Sequence, residues 1–229
     1  MCAPYFNEDT EIEITGELTS KPYIDLTIAV MRAFGVEVEN HNHRHLLIRT
    51  GTKYRAQEFE LEPDASSASY FLAGAALLGR AVSFTGLMRE SAQGDARFVE
   101  ILERMQENCR ILWKNTGLAF YGGARLKGIT ADLNAMPDMA PTVAVLAIFA
   151  KGKTYIKNIA NLRIKESDRI SALASEIKKF GVQVFEHPGG IEIFGNPNLR
   201  NSSKSFTFNT YNDHRMALTG AVAKLLCPA

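Results

Sequence analysis

Several features that define other classes of protein are scarce in this sequence of 229 residues. The three cysteines, Cys2, Cys109 and Cys227, are far apart and have no metal-ligand spacing. This usage argues against a disulfide framework and is typical of a reducing compartment. Lys and Arg (26) nearly cancel Asp and Glu (25), so the overall charge does not attract nucleic acid or an anionic membrane. Any anionic ligand must therefore be held by a local cluster.

Long apolar runs are absent as well. No run approaches the roughly 18 residues that span a bilayer, and the start, "MCAPYFNEDTEIEI", lacks the basic region and apolar stretch of a signal peptide. We therefore expect a cytoplasmic protein with no membrane or nucleic-acid partner. The composition, 46% hydrophobic and 22% charged, is close to that of an average globular protein, and the length allows one large domain or two small ones.

Internal repetition is the most informative feature that is present. The stretches "VMRAFGVEVENHNHRHLLIRTG", "ILERMQENCRILWKNTGLAFYGG" and "EIKKFGVQVFEHPGGIEIFGNP" each end a helix and continue as two strands joined by a polar or glycine turn. Phe34, Met105 and Phe180 hold the same place in the three copies, with a period of about 74 residues. The repeated unit is predicted to be helix, strand, helix, strand, strand.

The two helices of each unit differ in character. Alanine-rich helices follow one set of aspartates, namely Asp64, Asp138 and Asp213. Amphipathic helices follow a second set, namely Asp25, Asp95 and Asp168. The alanine-rich helices are apolar nearly all round and are predicted to lie in the interior, whereas the amphipathic ones should be half exposed. By themselves, the aspartates before the alanine-rich helices are explained as helix N-caps.

The loops of the copies differ and carry the charge. The segment "NLRIKESDR" interleaves Lys165, Glu166 and Arg169, and charged loops on a symmetric scaffold are typical of an active site. Basic groups beside carboxylates suit an anionic ligand whose reaction moves protons. The alternative explanation is that Glu166 and Asp168 only complement a helix dipole and that Lys165 is a solvated charge.

Five motifs carry a resemblance to a known family. In order they are "SKPYID", "DASSASYFLAGAA", "MPDMA", "NLRIKESDR" and "YNDHRMA". Together they resemble the 5-enolpyruvylshikimate-3-phosphate synthase family over nearly the whole chain. The resemblance implies an α/β fold of repeated βαβαββ units, arranged as two inside-out α/β barrel lobes. Residues 1–62 would be the last unit of one lobe, and residues 63–229 would be most of the second lobe, with two units and the start of a third.

The resemblance also implies that the chain is incomplete. It resembles a family member that begins well inside the N-terminal half and stops just after the "NDHRMA" helix. An N-terminal segment with Lys and Arg contacts, a Ser-Ser-Gln stretch and a late Lys have no counterpart here. Strands from both chain ends complete the second lobe in the family, so we expect open sheet edges that permit self-association.

The family transfers the enolpyruvyl group of phosphoenolpyruvate to the 5-hydroxyl of shikimate 3-phosphate and releases phosphate. This reaction belongs to the shikimate pathway of aromatic amino acid biosynthesis, and no cofactor or metal is expected. By resemblance, Asp138 would orient the 5-hydroxyl and accept its proton. Lys165 would neutralise charge at the same hydroxyl and shuttle the proton, and Glu166 would exchange a proton with the methylene carbon.

The resemblance further implies two groups of binding residues. The shikimate 3-phosphate contacts would be Ser20, Tyr23, Asp138, Asn161 and Lys165. The phosphoenolpyruvate contacts would be Arg169, His214 and Arg215, since guanidinium forks suit carboxylate or phosphate. Arg169 comes one helical turn after Lys165, so both side chains are expected to point to one side.

Three alternative functions stay open. The chain could be a catalytically incomplete fragment that keeps the fold and binds its ligands weakly. A relative that uses a UDP-sugar acceptor is disfavoured, because such relatives generally use a Cys in a mobile loop and no Cys of this sequence lies in such a loop. A clamp-like interaction protein is disfavoured because the alanine-rich helices carry no basic inner face.

The stretch "HNHRH" is a candidate metal site that we do not adopt. On one strand, His41, His43 and His45 would share a face. The repeat instead predicts a β-hairpin here, and no acid or Cys accompanies the histidines, so we assign no metal.

Overall fold

The structure is a computed structural model that describes residues 1–123, 125–201 and 205–227. The chain divides into two compact units. The first comprises Met1–Leu61 with Ala92–Gly94, and the second comprises Glu62–Ser91 and the residues from Asp95 onward. Within the described residues, every helix is too short or too polar to cross a bilayer.

The first unit is a three-stranded antiparallel sheet with one helix. Its elements are β1 (Thr10–Glu13), α1 (Lys21–Ala33), β2 (Val38–His41) and β3 (His45–Ile48). The strand order is β1-β3-β2. Ile28 and Met31 of α1 pack on Val38, Leu46 and Ile48 of the sheet. Burial of this apolar face stabilises the unit, while the polar face of α1 stays exposed as predicted.

The histidine-rich stretch forms the predicted hairpin. His41 ends β2 and lies opposite His45 at the start of β3. Asn42 and His43 occupy the turn with φ of 54° and 56°, the left-handed conformation that tight hairpin turns require. The three histidines therefore do not lie along one strand, and His43 Nε2 instead contacts Asp25 Oδ1 at 2.6 Å.

The second unit contains two full copies of the repeat and one further helix. The first copy consists of α2 (Ala65–Leu78), β4 (Ala81–Thr85), α3 (Phe98–Met105), β5 (Gln106–Glu107), β6 (Arg110–Lys114) and β7 (Gly117–Tyr121). The short strands β8 (Arg125–Leu126) and β9 (Thr130–Asp132) follow. The second copy consists of α4 (Ala140–Ile148), β10 (Gly152–Lys157), α5 (Arg169–Lys178), β11 (Gln183–His187) and β12 (Gly190–Gly195). The last element is α6 (His214–Lys224).

The three main sheets have one topology, which confirms the predicted repeat. Their orders are β1-β3-β2, β4-β7-β6 and β11-β12-β10-β9. In each sheet, the strand before the amphipathic helix pairs antiparallel with the second strand of the hairpin that follows the helix. The strand β9 adds to the third sheet as a parallel neighbour of β10, and β5 pairs with β8 separately.

The helix α4 is the centre of the second unit's core. Every residue of α4 is buried, and the helix packs against both α2 and α6. The predicted interior position is therefore correct for α4. It is wrong for one face of α2 and of α6, which no described element covers. Four large apolar side chains are exposed there, those of Phe71 and Leu78 on α2, Leu218 on α6 and Leu225 just after α6.

Candidate active site

The beginnings of α4, α5 and α6 meet at one cluster of charged side chains. Asp138 lies in the 3-10 turn Pro137–Met139 just before α4, Arg169 is the first residue of α5, and Arg215 lies in the first turn of α6. These three residues are far apart in sequence and in direct contact in the structure. The repeat brings them together, because each copy places a charged loop before its helix.

Asp138 is the common acceptor of this cluster. Its Oδ2 accepts a hydrogen bond from Arg215 Nη2 at 2.9 Å, and its Oδ1 accepts one from Arg169 Nη1 at 3.2 Å. Lys165 Nζ lies 4.0 Å from the same Oδ1. The side chain of Asp138 does not cap α4, so the capping explanation is wrong here. Its carboxylate is instead surrounded by three cations.

Arg169 is buried and holds several acids at once. Its side chain is 1% exposed. Nε donates to Asp213 Oδ2 at 2.8 Å, and Nη2 donates to Asp213 Oδ1 at 3.2 Å and to Glu166. With the bond to Asp138, four of its five N–H groups are engaged. The guanidinium thus fixes the acids relative to one another, and its contact with phosphoenolpyruvate stays a prediction.

Asp213 is fully buried and serves two purposes. It caps α6 by accepting a hydrogen bond from the Arg215 backbone N–H at 2.9 Å. It also accepts hydrogen bonds from the Arg169 guanidinium and from the Ser167 hydroxyl. Burial alone would raise the pKa of Asp213, but the hydrogen bonds from Arg169 and Ser167 outweigh it and lower the pKa. Asp213 is therefore ionised at neutral pH and forms a buried ion pair with Arg169.

The segment before α5 brings Lys165 to the cluster in an unexpected way. Ala160–Ile164 is a 3-10 helix, Lys165 is extended, and α5 begins only at Arg169, capped by Asp168. The expectation that Lys165 and Arg169 occupy one helix is therefore wrong. Both reach Asp138 because the chain bends between them.

Arg163, which sequence reasoning left without a role, holds this segment in place. It donates to the backbone carbonyls of Pro188 and His187 at 2.8 and 2.7 Å. It also donates to Glu186 at 2.9 Å and to Asp168 at 2.8 Å. In the sequence, Arg163 lies between two hydrophobic residues, Leu162 and Ile164, which indicates a partly buried side chain. The sequence does not show which groups accept its hydrogen bonds.

Glu166 and His214 form the exposed side of the cluster. Their side chains are 48% and 62% exposed, with His214 Nδ1 3.9 Å from Glu166 Oε1. A hydrogen bond from its own backbone N–H, together with Arg169 and His214, lowers the pKa of Glu166 against the opposing effects of burial and Asp213. The carboxylate is thus ionised at neutral pH, so it can accept a proton but has none to donate.

The other predicted binding residues fall in two places. Asn161 lies in the 3-10 helix before Lys165, and its Oδ1 is buried without a hydrogen-bond partner among the described residues. Ser20 and Tyr23 belong to the first unit, at the start of α1. Ser20 has φ of 59° and does not cap the helix with its side chain, and Tyr23 is exposed in the first turn. Their contact with shikimate 3-phosphate stays a prediction.

The segment before α6 is anchored by a buried carboxylate that sequence reasoning missed. Glu176 of α5 is fully buried. It accepts hydrogen bonds from the Tyr211 hydroxyl and the Asn209 backbone N–H at 2.8 Å and from Lys179 at 2.6 Å. These bonds fix the chain just ahead of His214. An acid on the apolar face of a predicted helix was the available signal.

The cluster is electrically balanced. Its cations are Lys165, Arg169 and Arg215, and its carboxylates are Asp138, Glu166 and Asp213. Such a constellation can bind an oxyanion by exchanging one internal carboxylate contact for a ligand, and it places proton acceptors beside cations. This is chemistry for an anionic substrate that gains or loses a proton.

The family of the chain follows from a comparison with models of known protein families. A family model described as EPSP synthase (3-phosphoshikimate 1-carboxyvinyltransferase) matches residues 1–228. The chain belongs to the EPSP synthase family. The resemblance drawn from the five motifs is thereby confirmed.

Curated members of the EPSP synthase family are close in sequence. The chain is 48% identical over 226 residues to the 3-phosphoshikimate 1-carboxyvinyltransferase of Edwardsiella ictaluri (strain 93-146), covering 98% of this chain and 51% of the relative. It is 46% identical over 220 residues to that of Haemophilus influenzae (strain PittGG), covering 95% of this chain and 49% of the relative. The chain spans about half the length of the curated relatives it matches.

Solved structures confirm the predicted fold class. The EPSP synthase of Acinetobacter baumannii matches with a TM-score of 0.76 and 25% identity, over 99% of this chain and 52% of that chain. The enolpyruvyl transferase NikO of Streptomyces tendae matches with a TM-score of 0.64 over 99% of this chain and 51% of that chain. At 17% identity, NikO supports the α/β fold of the EPSP synthase family and nothing further.

Proposed function

We propose that this chain provides the part of an EPSP synthase that activates the 5-hydroxyl of shikimate 3-phosphate and positions phosphoenolpyruvate. The observation that carries the proposal is the Asp138 carboxylate, held between Arg215 and Arg169 with Lys165 at 4.0 Å. A carboxylate fixed by two guanidinium groups keeps its place when a hydroxyl approaches it. The names of the relatives also favour this acceptor over a UDP-sugar.

Asp138 and Lys165 act on the hydroxyl. As the hydroxyl oxygen bonds to C2 of phosphoenolpyruvate, its proton passes to Asp138 or, through the nearby ammonium group, to solvent. The side chain of Lys165 is 37% exposed, which gives the proton this route. The positive charge of Lys165 stabilises the oxygen while negative charge develops on it.

Glu166 acts on the methylene carbon. It is ionised at neutral pH, so it must take up a proton before it can deliver one to that carbon. A phosphoenolpyruvate anion bound beside it favours the neutral acid, because like charges disfavour ionisation. When the tetrahedral intermediate collapses, Glu166 takes a proton back from the methyl group and phosphate leaves.

The binding residues supply charge and hydrogen bonds. Arg215, His214 and Arg169 would hold phosphoenolpyruvate, and Ser20, Tyr23 and Asn161 would contact shikimate 3-phosphate. The buried Asn161 Oδ1 supports this, because no described group satisfies it and a substrate hydroxyl could donate to it. The reaction as proposed takes place in the cytoplasm and uses no cofactor.

Self-association is a further part of the proposal. The strands β6 and β11 are edges of their sheets within the described residues, and Phe185 on β11 is 45% exposed. Edge strands with exposed apolar side chains pair readily with a second chain. Light scattering after gel filtration measures the mass directly, and a monomer at all concentrations would contradict this part.

The experiment for the catalytic proposal is phosphate release from phosphoenolpyruvate in the presence of shikimate 3-phosphate. Release by the purified chain that disappears in Glu166→Gln supports the assigned roles, since the amide keeps the shape but cannot carry the proton. Release that is equal in both proteins contradicts the role of Glu166. Absence of release from the wild-type chain supports the alternative of a catalytically incomplete fragment.

A further inference from the structure

Tyr70 carries a buried hydroxyl that the packing of the protein does not use. It lies in α2 and is 7% exposed. Its hydroxyl forms no hydrogen bond of good geometry among the described residues, and its one close polar neighbour there, Arg215, can only donate to its oxygen. A buried hydroxyl without a partner destabilises a protein, and a Phe of the same shape would avoid this cost. A group of this kind in a native structure therefore calls for an explanation, and binding of a ligand is one.

The surroundings of the hydroxyl place it at the charged cluster. Arg215 has the largest electrostatic effect on it and lies within hydrogen-bonding reach as a donor to its oxygen, and Arg169 and Asp138 also act on it. A guanidinium group has donors and no acceptor, so Arg215 cannot receive the hydrogen of the Tyr70 hydroxyl. The carboxylate of Asp138 accepts from Arg215 and Arg169, and the described residues show no hydrogen bond to it from the Tyr70 hydroxyl. The hydroxyl hydrogen is therefore free for an acceptor that arrives at Arg215.

The ionisation of both side chains keeps them as donors. Burial raises the pKa of Tyr70 against the opposing effects of Arg215 and Arg169, so the phenol stays protonated at neutral pH. Burial alone would lower the pKa of Arg215, but Asp138 and Tyr70 outweigh it and the pKa is raised. A neutral O–H and a charged N–H fork thus lie side by side, which is the arrangement that an oxyanion requires.

We propose that Tyr70 is a further substrate-contacting residue of this site, whose hydroxyl donates a hydrogen bond to an oxyanion group of phosphoenolpyruvate bound at Arg215. The proposal rests on the function proposed above for Arg215. It adds a contact from α2, an element to which the five motifs assign no substrate-binding role. It also explains why a hydroxyl is retained at a position where packing alone would favour Phe.

The test compares two Tyr→Phe variants that differ in one respect. Tyr70→Phe removes a hydroxyl whose hydrogen has no acceptor in the described part of the protein, whereas Tyr211→Phe removes one that donates to Glu176. Binding of phosphoenolpyruvate and, separately, of inorganic phosphate is measured by isothermal titration calorimetry. The thermal unfolding midpoint of each variant is measured without any added anion.

We expect Tyr70→Phe to weaken binding of phosphoenolpyruvate about tenfold, the usual effect of losing a hydrogen bond to a charged group. Its unfolding midpoint should be equal to that of the wild type or higher. Tyr211→Phe should show the reverse pattern, with a lower midpoint and nearly unchanged binding. A merely structural Tyr70 would lower the midpoint when changed to Phe and leave the dissociation constant unchanged.

The outcomes separate this proposal from the function on which it rests. Equal binding of phosphoenolpyruvate to wild type and Tyr70→Phe overturns the role of Tyr70 and leaves the proposed function intact. Phosphate binding that depends on Tyr70, with no binding of phosphoenolpyruvate, overturns the proposed substrate and keeps Tyr70 as an oxyanion contact. No binding of either anion to the wild-type chain overturns both.

Discussion

An aspartate precedes each of the three alanine-rich helices, but its role at α4 differs from its role at α2 and α6. Asp64 caps α2 by accepting from the Ser66 backbone N–H at 2.9 Å, and Asp213 caps α6 in the same way through Arg215. Asp138 caps nothing and accepts from two guanidinium groups instead. A repeated scaffold can thus convert one of its capping positions into a reactive one.

The local chain explains the difference. Asp64 and Asp213 have extended backbones and directly precede their helices. At α4, Pro137 starts a 3-10 turn that includes Asp138. The α-helix itself begins at Ala140, two residues after Asp138. A side chain inside a helical turn points away from the free N–H groups of the helix start, so it cannot cap them. The carboxylate is released for the cluster.

The largest effect is expected when the released carboxylate is neutralised. Asp138→Asn should lower the rate of phosphate release by about 10²–10⁴-fold, because the amide cannot accept the hydroxyl proton. The matched control is Asp64→Asn, where Asn caps a helix about as well as Asp and the rate should hardly change. Equal losses in the two variants would remove the distinction between capping and reactive aspartates.

The next largest effect is expected on stability, at Asp213, the capping aspartate that also binds Arg169. Asp213→Ala removes a cap and also leaves the buried Arg169 without its main partner. We expect a loss of about 3–5 kcal/mol in the free energy of unfolding, as for other broken buried pairs. Urea unfolding followed by circular dichroism measures it. A loss of only about 1 kcal/mol, the value of a simple cap, would show that Asp213 does not stabilise Arg169.

Acid should reveal the same asymmetry. The pKa values of Asp213 and Asp64 are lowered in the folded protein, each against the opposing effect of burial. Their stabilisation is therefore complete above the unfolded value near 4 and is lost as the pH falls through the folded pKa values. Unfolding free energies measured between about pH 5 and pH 2 should fall less steeply in Asp213→Asn than in the wild type.

The matched measurement for acid uses Asp64→Asn. Its pH dependence should stay closer to that of the wild type, because Asp64 is held mainly by Ser67 and Ser66 and forms no ion pair with any described residue. An equal change of slope in the two variants would count against a special role of the Asp213–Arg169 pair.

The smallest effect is expected at the simple cap. Asp64→Ala should lower the free energy of unfolding by about 1 kcal/mol, because the Ser66 N–H loses its acceptor. Asp64→Asn restores the acceptor and should recover most of this loss. Thermal or urea unfolding resolves the difference, and a loss as large as that in Asp213→Ala would contradict the view that Asp64 only caps.

Much of the fold could be predicted because it depends on short-range patterns. The period of about 74 residues and the two helix types identified the repeated unit, and the structure confirms it in three sheets of one topology. The exposed faces of α2 and α6 could not be predicted. Whether an apolar helix is fully buried depends on how many neighbours surround it, and the helix's own sequence does not contain that number.

The candidate site shows the same division. Motif resemblance selected Asp138, Lys165, Glu166, Arg169, His214 and Arg215, and the structure brings all six into one cluster. It could not select Arg163 and Glu176, since their acceptors and donors lie on other elements. It also gave a wrong reason for the proximity of Lys165 and Arg169, which a bend and not a helix brings together.

The sequence by itself determined the repeated α/β unit, the family and the identity of the charged residues, because periodicity, caps and motifs are local in the chain. Only the tertiary structure decided that Asp138 faces two guanidinium groups, that Arg169 is buried among three carboxylates and that the Tyr70 hydroxyl near Arg215 has no described acceptor for its hydrogen. These properties depend on distances between residues from different repeats, and such distances are fixed only when the helices pack.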